Sequence, residues 1–239
     1  MKDTSLARAG GLAGIAVAVL SIIYAVAYLI ITPAAQRGAD AAAYYASFAA
    51  NPTGAQLASL SFVLSGVVGT LAVAATAERL RTVSDGWAHW ALVVGSIAIL
   101  ATGAHGLWNL VRTPLMAALY NGGDATTKAV IAAMRVGPVP ADPAEFFTFG
   151  ITGLWALAVG LLTLRGADLP RRVGYIAIIA GIDMLLLFVS DIAGSQAGVL
   201  VTGGLASLIL GPALWAGIGL ALLRDSHAPA AVPATPGGV

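Results

Sequence analysis

There is no cysteine in this chain of 239 residues, so disulfides, thiolate metal sites and thiol catalysis are excluded together. Charge is nearly as scarce. Only 10% of the residues are Asp, Glu, Lys or Arg, against roughly 25% in a soluble globular domain. The formal net charge of +1 leaves no basic field for a nucleic-acid partner. Walker A, dinucleotide-fingerprint, GxSxG and HExxH motifs are all missing, so no familiar catalytic framework can be placed. What fills the chain is apolar: 59% of its residues are hydrophobic, as in a polytopic membrane protein.

About 20 mostly apolar residues cross a hydrocarbon core of about 30 Å. Six segments are long enough: Ala9 to Ile31, Ala55 to Ala75, Trp87 to Val111, Phe146 to Leu164, Val173 to Ala193 and Val199 to Leu223. The first follows a short basic stretch, but its apolar region exceeds the roughly 7 to 15 residues of a signal peptide, and it reads as a retained helix. The expected fold is all-α, a transmembrane bundle of six helices forming one domain over residues 1–227, with a Pro-, Ala- and Gly-rich disordered tail over 228–239. Six spans put both termini on one side. That side carries Lys2, Arg8, Arg79, Arg81, Arg165, Arg171, Arg172 and Arg224, against Arg37, Arg112, Lys128 and Arg135 on the other. The basic excess makes the first face cytoplasmic. The Ala- and Gly-rich composition looks like that of a GC-rich bacterial gene, and the expected membrane is a bacterial inner (plasma) membrane.

Two short interfacial helices are expected on the outer side. Asp40 to Ala50 carries Tyr44, Tyr45 and Phe48 ahead of the turn Asn51-Pro52-Thr53-Gly54, which suggests rings lying at headgroup depth. Asp124 can cap a second helix running to about Arg135, with Val130, Ile131 and Met134 on one face. Gly137-Pro138-Val139-Pro140 then forbids helix. Asp142-Pro143-Ala144-Glu145 restarts it with the N-cap, N1 and N3 residues of a capping box. Small residues spaced by four, Gly10/Gly14, Ser65/Gly69, Ala177/Gly181 and Ala213/Gly217, predict close helix packing, and Gly203-Gly204 and Gly211-Pro212 interrupt the last span.

Charge inside an apolar span is costly, about 2.5 to 3.5 kcal/mol at a helix centre, and marks a candidate functional site. Asp183 lies about 16 Å beyond Arg172, near mid-bilayer, and Asp191 about 28 Å beyond it, near the outer boundary. No Lys or Arg shares the depth of Asp183, which leaves the hydroxyls of Ser21, Ser65, Tyr24 and Thr102 as its expected partners. His105, Asn109 and Arg112 form one polar stripe on the third span, and Glu145 and Asp191 reach the same level from the fourth and fifth. His105, Asn109, Arg112, Glu145, Asp183 and Asp191 are therefore the candidate polar cavity, with Arg112 paired to a carboxylate. The bland alternatives are a snorkelling Arg112, a capping Glu145, and an Asp183 that merely joins helices.

No cofactor or metal is expected. His89 and His105 are about 24 Å apart along one helix, and His227 lies in the tail, so no two histidines of one chain meet across a haem iron.

Pro-Ala-Asp-Pro-Ala-Glu-Phe-Phe (Pro140 to Phe147), Leu-Arg-Gly-Ala-Asp-Leu-Pro-Arg-Arg (Leu164 to Arg172) and Gly-Pro-Ala-Leu-Trp (Gly211 to Trp215) resemble small uncharacterised bacterial membrane proteins grouped under a domain of unknown function. The resemblance covers most of the chain and implies a six-helix inner-membrane fold, with no catalytic residue carried across. The expectation is an integral membrane protein acting as a structural or interaction component, in contact with the lipid bilayer and with a membrane-protein partner or further copies of itself. Carriage of a small molecule or ion, through the outer vestibule and Asp183, is the first alternative. An intramembrane enzyme is the second.

Overall fold

The computed structural model describes residues 4–37, 40–136, 142 and 145–226. Six helices are long and apolar enough to cross a membrane: α1 Thr4–Ile31, α3 Thr53–Leu80, α4 Asp85–Gly122, α6 Phe146–Leu164, α7 Arg171–Ile192 and α8 Gln196–Arg224. Two short helices, α2 Ala41–Ala50 and α5 Ala125–Val136, stand between α1 and α3 and after α4. The described residues contain no strand. The expected tail, 228–239, and the break at 137–140 lie outside the described residues.

The helix ends are set by side chains that satisfy orphan N–H groups. Asp40 Oδ1 accepts from Ala42 N at 2.8 Å and Ala43 N at 3.2 Å, Ser84 from Trp87 N at 3.4 Å, and Ser195 Oγ from Gly198 N at 3.2 Å. Asp124 Oδ1 accepts from Thr127 N at 2.8 Å, and this bonding holds its carboxyl below the usual carboxylate range. Two spans stop at glycine. Gly166, at φ +107°, lets Ala167 N reach Leu162 O while its own N–H reaches Thr163 O. Gly194, at φ +65°, repeats the pattern, with Ser195 N on Ser190 O and its own N–H on Asp191 O. Both are left-handed closures that suit a residue without Cβ.

The spans close a ring in chain order. Each of α1, α3, α4, α6, α7 and α8 packs on the next, and α8 returns to α1. Glycine permits the closest approaches: a Cβ on Gly66 would collide with the backbone of Gly103, and one on Gly153 would lie 2.9 Å from Gly181 O. Gly10, Gly14, Gly69 and Gly181 pack tightly as their spacing suggests. Gly217 does not, since a Cβ there would meet only Val173 Cγ2 at 3.5 Å. Large apolar side chains such as Leu12, Val67, Leu100, Ile182 and Val189 stay on the outside of the ring, where lipid would cover them.

The core is lopsided. In the half of the bundle that carries the loops at Arg79 and Asp168, Val17, Val73, Val159, Val173 and Ile218 pack around Trp155 and Trp215, whose rings stack at 5.2 Å. At the opposite end a smaller cluster joins Tyr45 and Phe48 of α2 to Ala117 of α4 and Ile131 of α5.

Several expectations change here. The third span continues eleven residues past Val111, through Pro114, to Gly122, because its last turns serve as the post on which α2 and α5 pack. Tyr45 and Phe48, each 4% exposed, are buried against that post, so their rings face protein. Of the three apolar residues expected on one face of α5, Ile131 turns inward while Val130 and Met134 are exposed. Gly203-Gly204 and Gly211-Pro212 do not break the last helix, which absorbs the proline with one widened turn over Ala206–Leu210, Gly211 N bonding Ala206 O.

Candidate functional site

Between the tryptophan-filled core and the α2–α5 cluster lies a cavity of about 910 Å³, walled by all six spans. Its volume falls in the range of small-molecule sites. Five of the six candidate residues line it: His105, Asn109 and Arg112 of α4, Glu145 just ahead of α6, and Asp191 of α7. Asp183 does not. It is 7% exposed, deeper along α7, and its Oδ2 has no hydrogen-bond partner. The hydroxyls expected to meet it are engaged elsewhere: Ser21 donates to Val17 O at 2.9 Å and Thr102 to Ala98 O at 3.1 Å, each within its own helix. Tyr24 faces the cavity.

The start of α6 departs from the capping box. Asp142 does cap, accepting from Phe147 N at 2.6 Å through Oδ1 and from Thr148 N at 3.0 Å through Oδ2. The Thr148 hydroxyl donates to the same Oδ2. Glu145, by contrast, has φ +54°, the left-handed region, at a cost of about 1 to 2 kcal/mol for a residue with a side chain. Its side chain makes no cap hydrogen bond. Asp142 therefore reaches past Glu145 to the first turn of the span, and the Glu145 carboxyl is left to face the cavity.

There Glu145 Oε1 lies 3.7 Å from His105 Nε2. The His105 side chain is 12% exposed and that of Glu145 35%. Burial first, then the carboxylates of Asp191 and Asp142, pushes the Glu145 carboxyl up to about 7. Arg112 does not neutralise this group. Its guanidinium stacks on Trp108 at 5.3 Å and donates to Met134 O at 3.2 Å, and among the described residues it has no carboxylate partner. The expected Arg112–carboxylate pair is replaced by these two contacts, because the long α4 brings the end of α5 within its reach.

The family model described as Domain of unknown function (DUF4386) matches residues 12–222. The chain belongs to this family. No curated protein and no solved structure matches the chain. The matched stretch contains every described residue of the cavity and runs from the first span to the last.

Other wall residues lie outside the six expected for the cavity. Tyr24 stacks on Phe62 at 4.2 Å and on Tyr28 at 5.8 Å, forming an aromatic side of the cavity. Gln36, from the short turn after α1, is 5% exposed. Its Nε2 donates to Asn51 O at 2.8 Å, and its Oε1 has no partner. Three widened helical turns also border the cavity: Ala27–Ile31 through Leu29, Phe146–Gly150 through Phe149, and Ala206–Leu210 through Ser207. Turns of this kind concentrate at functional sites, since they free a carbonyl and bend the helix locally.

Proposed function

We propose that this integral membrane protein binds a small amphipathic molecule in the cavity and carries it, working in a bacterial plasma membrane with the α2–α5 end outside. One observation carries the reading: a ligand-sized cavity is shared by six spans and is closed toward the other end by the stacked Trp155 and Trp215. A structural or interaction component needs no such space, and a closed dry bundle would have served it better. Glu145 and His105 form an ionisable pair in the cavity, beside Asp142, Asp191 and Arg112, and Asp183 lies outside it. The widened turns in α1, α6 and α8 supply bending points at cavity level, as a carrier that alternates its access requires. Orientation follows from the basic residues, with Arg79 discounted because it is buried beside Asp168.

The test is a comparison of wild type with Gly203→Leu, each extracted with native lipid and its small molecules read by mass spectrometry. Gly203 lines the cavity and a Cβ there would meet only Leu187 Cδ1 at 3.8 Å, so a larger side chain fills space without forcing the helices apart. A species retained by wild type and depleted from an equally heat-stable variant is expected. Identical co-purifying molecules in both would overturn the reading.

A further inference from the structure

We infer that the cavity takes a cationic amphiphile, an organic ammonium whose head sits at Glu145 and whose apolar body leaves sideways between α1 and α8 toward the bilayer; this rests on the reading of the cavity as a ligand site.

The charge balance points to a cation. Glu145, Asp191 and Asp142 line the cavity, and Arg112 is the one Lys or Arg among the described lining residues. Arg112 stands seven residues from His105 on the same helix, about 10 Å farther out, and is occupied by Trp108 and Met134 O. Two like charges facing Glu145 disfavour its ionised form, and a bound ammonium would relieve that cost.

Hydrogen bonding agrees. Asn51 O can only accept, so it fixes the Gln36 amide with the nitrogen toward it and leaves Oε1 as a buried acceptor without a partner. With His105 Nε2–H facing Glu145, the buried Nδ1 is a second acceptor without a donor. A carboxylate or phosphate head would add a like charge beside Glu145, Asp191 and Asp142, whereas an ammonium brings donors to those carboxylates.

The apolar exit is seen in the packing of α8. Its first ten residues, Gln196–Leu205, lie chiefly on α7 and bury none of their side chains, whereas α1 meets α8 mainly from Ala206 onward. The ring is thus sealed in its tryptophan-filled half and parted in the other. Leu29 of α1 and Val199, Leu200 and Gly203 of α8 border both the cavity and this gap, and none carries charge. Such a wall suits a hydrocarbon chain and repels a hydrated one.

Octylamine, octanol and octanoate share one tail and differ in head charge. They would be titrated calorimetrically into wild type, Glu145→Gln and Gly203→Leu in zwitterionic lipid nanodiscs at about pH 8, where the amine remains protonated. Wild type is expected to prefer octylamine to octanol by roughly tenfold, the size of one charge-assisted hydrogen bond, with octanoate weakest. Glu145→Gln should erase the preference while keeping octanol, and Gly203→Leu should weaken all binding. In wild type the preference should also grow between about pH 6 and about pH 8 as Glu145 ionises. Octanoate binding as tightly as octylamine, or a preference unchanged in Glu145→Gln, would overturn the cationic assignment while the sensitivity to Gly203→Leu kept the ligand site. No binding above empty nanodiscs, or full binding by Gly203→Leu, would remove the ligand site itself.

Discussion

Arg79 and Asp168, 89 residues apart in the chain, are joined twice: the guanidinium donates to Asp168 Oδ2 at 3.0 Å, and Asp168 N donates to Arg79 O at 3.3 Å. The pair ties the end of α3 to the turn between α6 and α7 and closes that side of the ring. The side chains are 6% and 36% exposed, so the burial is unequal.

Unequal burial makes the two deletions unequal. Asp168→Ala removes one charged hydrogen bond from a buried guanidinium and should cost about 2 kcal/mol. Arg79→Met leaves a carboxylate that already reaches solvent and refills the space with apolar atoms, so about 1 kcal/mol is expected. Thermal unfolding of both variants in one detergent checks this. A larger loss for Arg79→Met would mean that burial of the cation does not set the cost.

Glu145 should leave a pH signature. Its folded carboxyl titrates near 7 and its ordinary value is 4.5, with His105, Asp142 and Asp191 facing it. At pH below the ordinary value both states hold the proton and nothing is lost. As pH rises from there to about 7 the unfolded chain releases the proton while the folded one keeps it, so stability falls across that window and stays lowered above it. Glu145→Gln removes this contribution, and the variant should overtake wild type in melting temperature only on the alkaline side. Parallel melting curves at all pH values would show that the carboxyl is not held in a disfavoured environment.

Orientation can be read by labelling, since the chain has no cysteine of its own. Ala125, exposed at the start of α5, and Gly86, where an added Cβ would meet only Ser84 Oγ at 4.0 Å, accept a cysteine without disturbing a cap. In intact cells an impermeant thiol reagent should label Ala125→Cys and spare Gly86→Cys. The opposite pattern would reverse the assignment drawn from the basic residues.

The spans were legible because a membrane leaves one solution for a long apolar segment: an internally bonded helix. Their ends were less so. Nothing in the composition of Arg112 to Gly122 says that α4 continues, because that stretch is held by contact with α2 and α5. The polar stripe His105, Asn109, Arg112 could be placed by helical periodicity alone. Glu145 could not. Its spacing from Asp142 fits a capping box, and only the left-handed backbone at Glu145 turns the carboxyl from the cap to the cavity. Asp183 shares a face of α7 with Leu187 and Asp191, which line the cavity, but lies one turn deeper, and the depth at which the cavity ends is not written in the sequence.

Closure of the ring in chain order has a consequence for assembly. Each span finds its partner in the segment just before it, and the last meets the first, with Gly11 against Leu223 and Gly14 against Gly219. Successive hairpins can thus dock as they are synthesised, without threading past one another. The same neighbourhood makes the two chain ends interchangeable with a loop on their own side. A circular permutant that fuses the ends and opens at Val83 would keep every helix pair and every span direction.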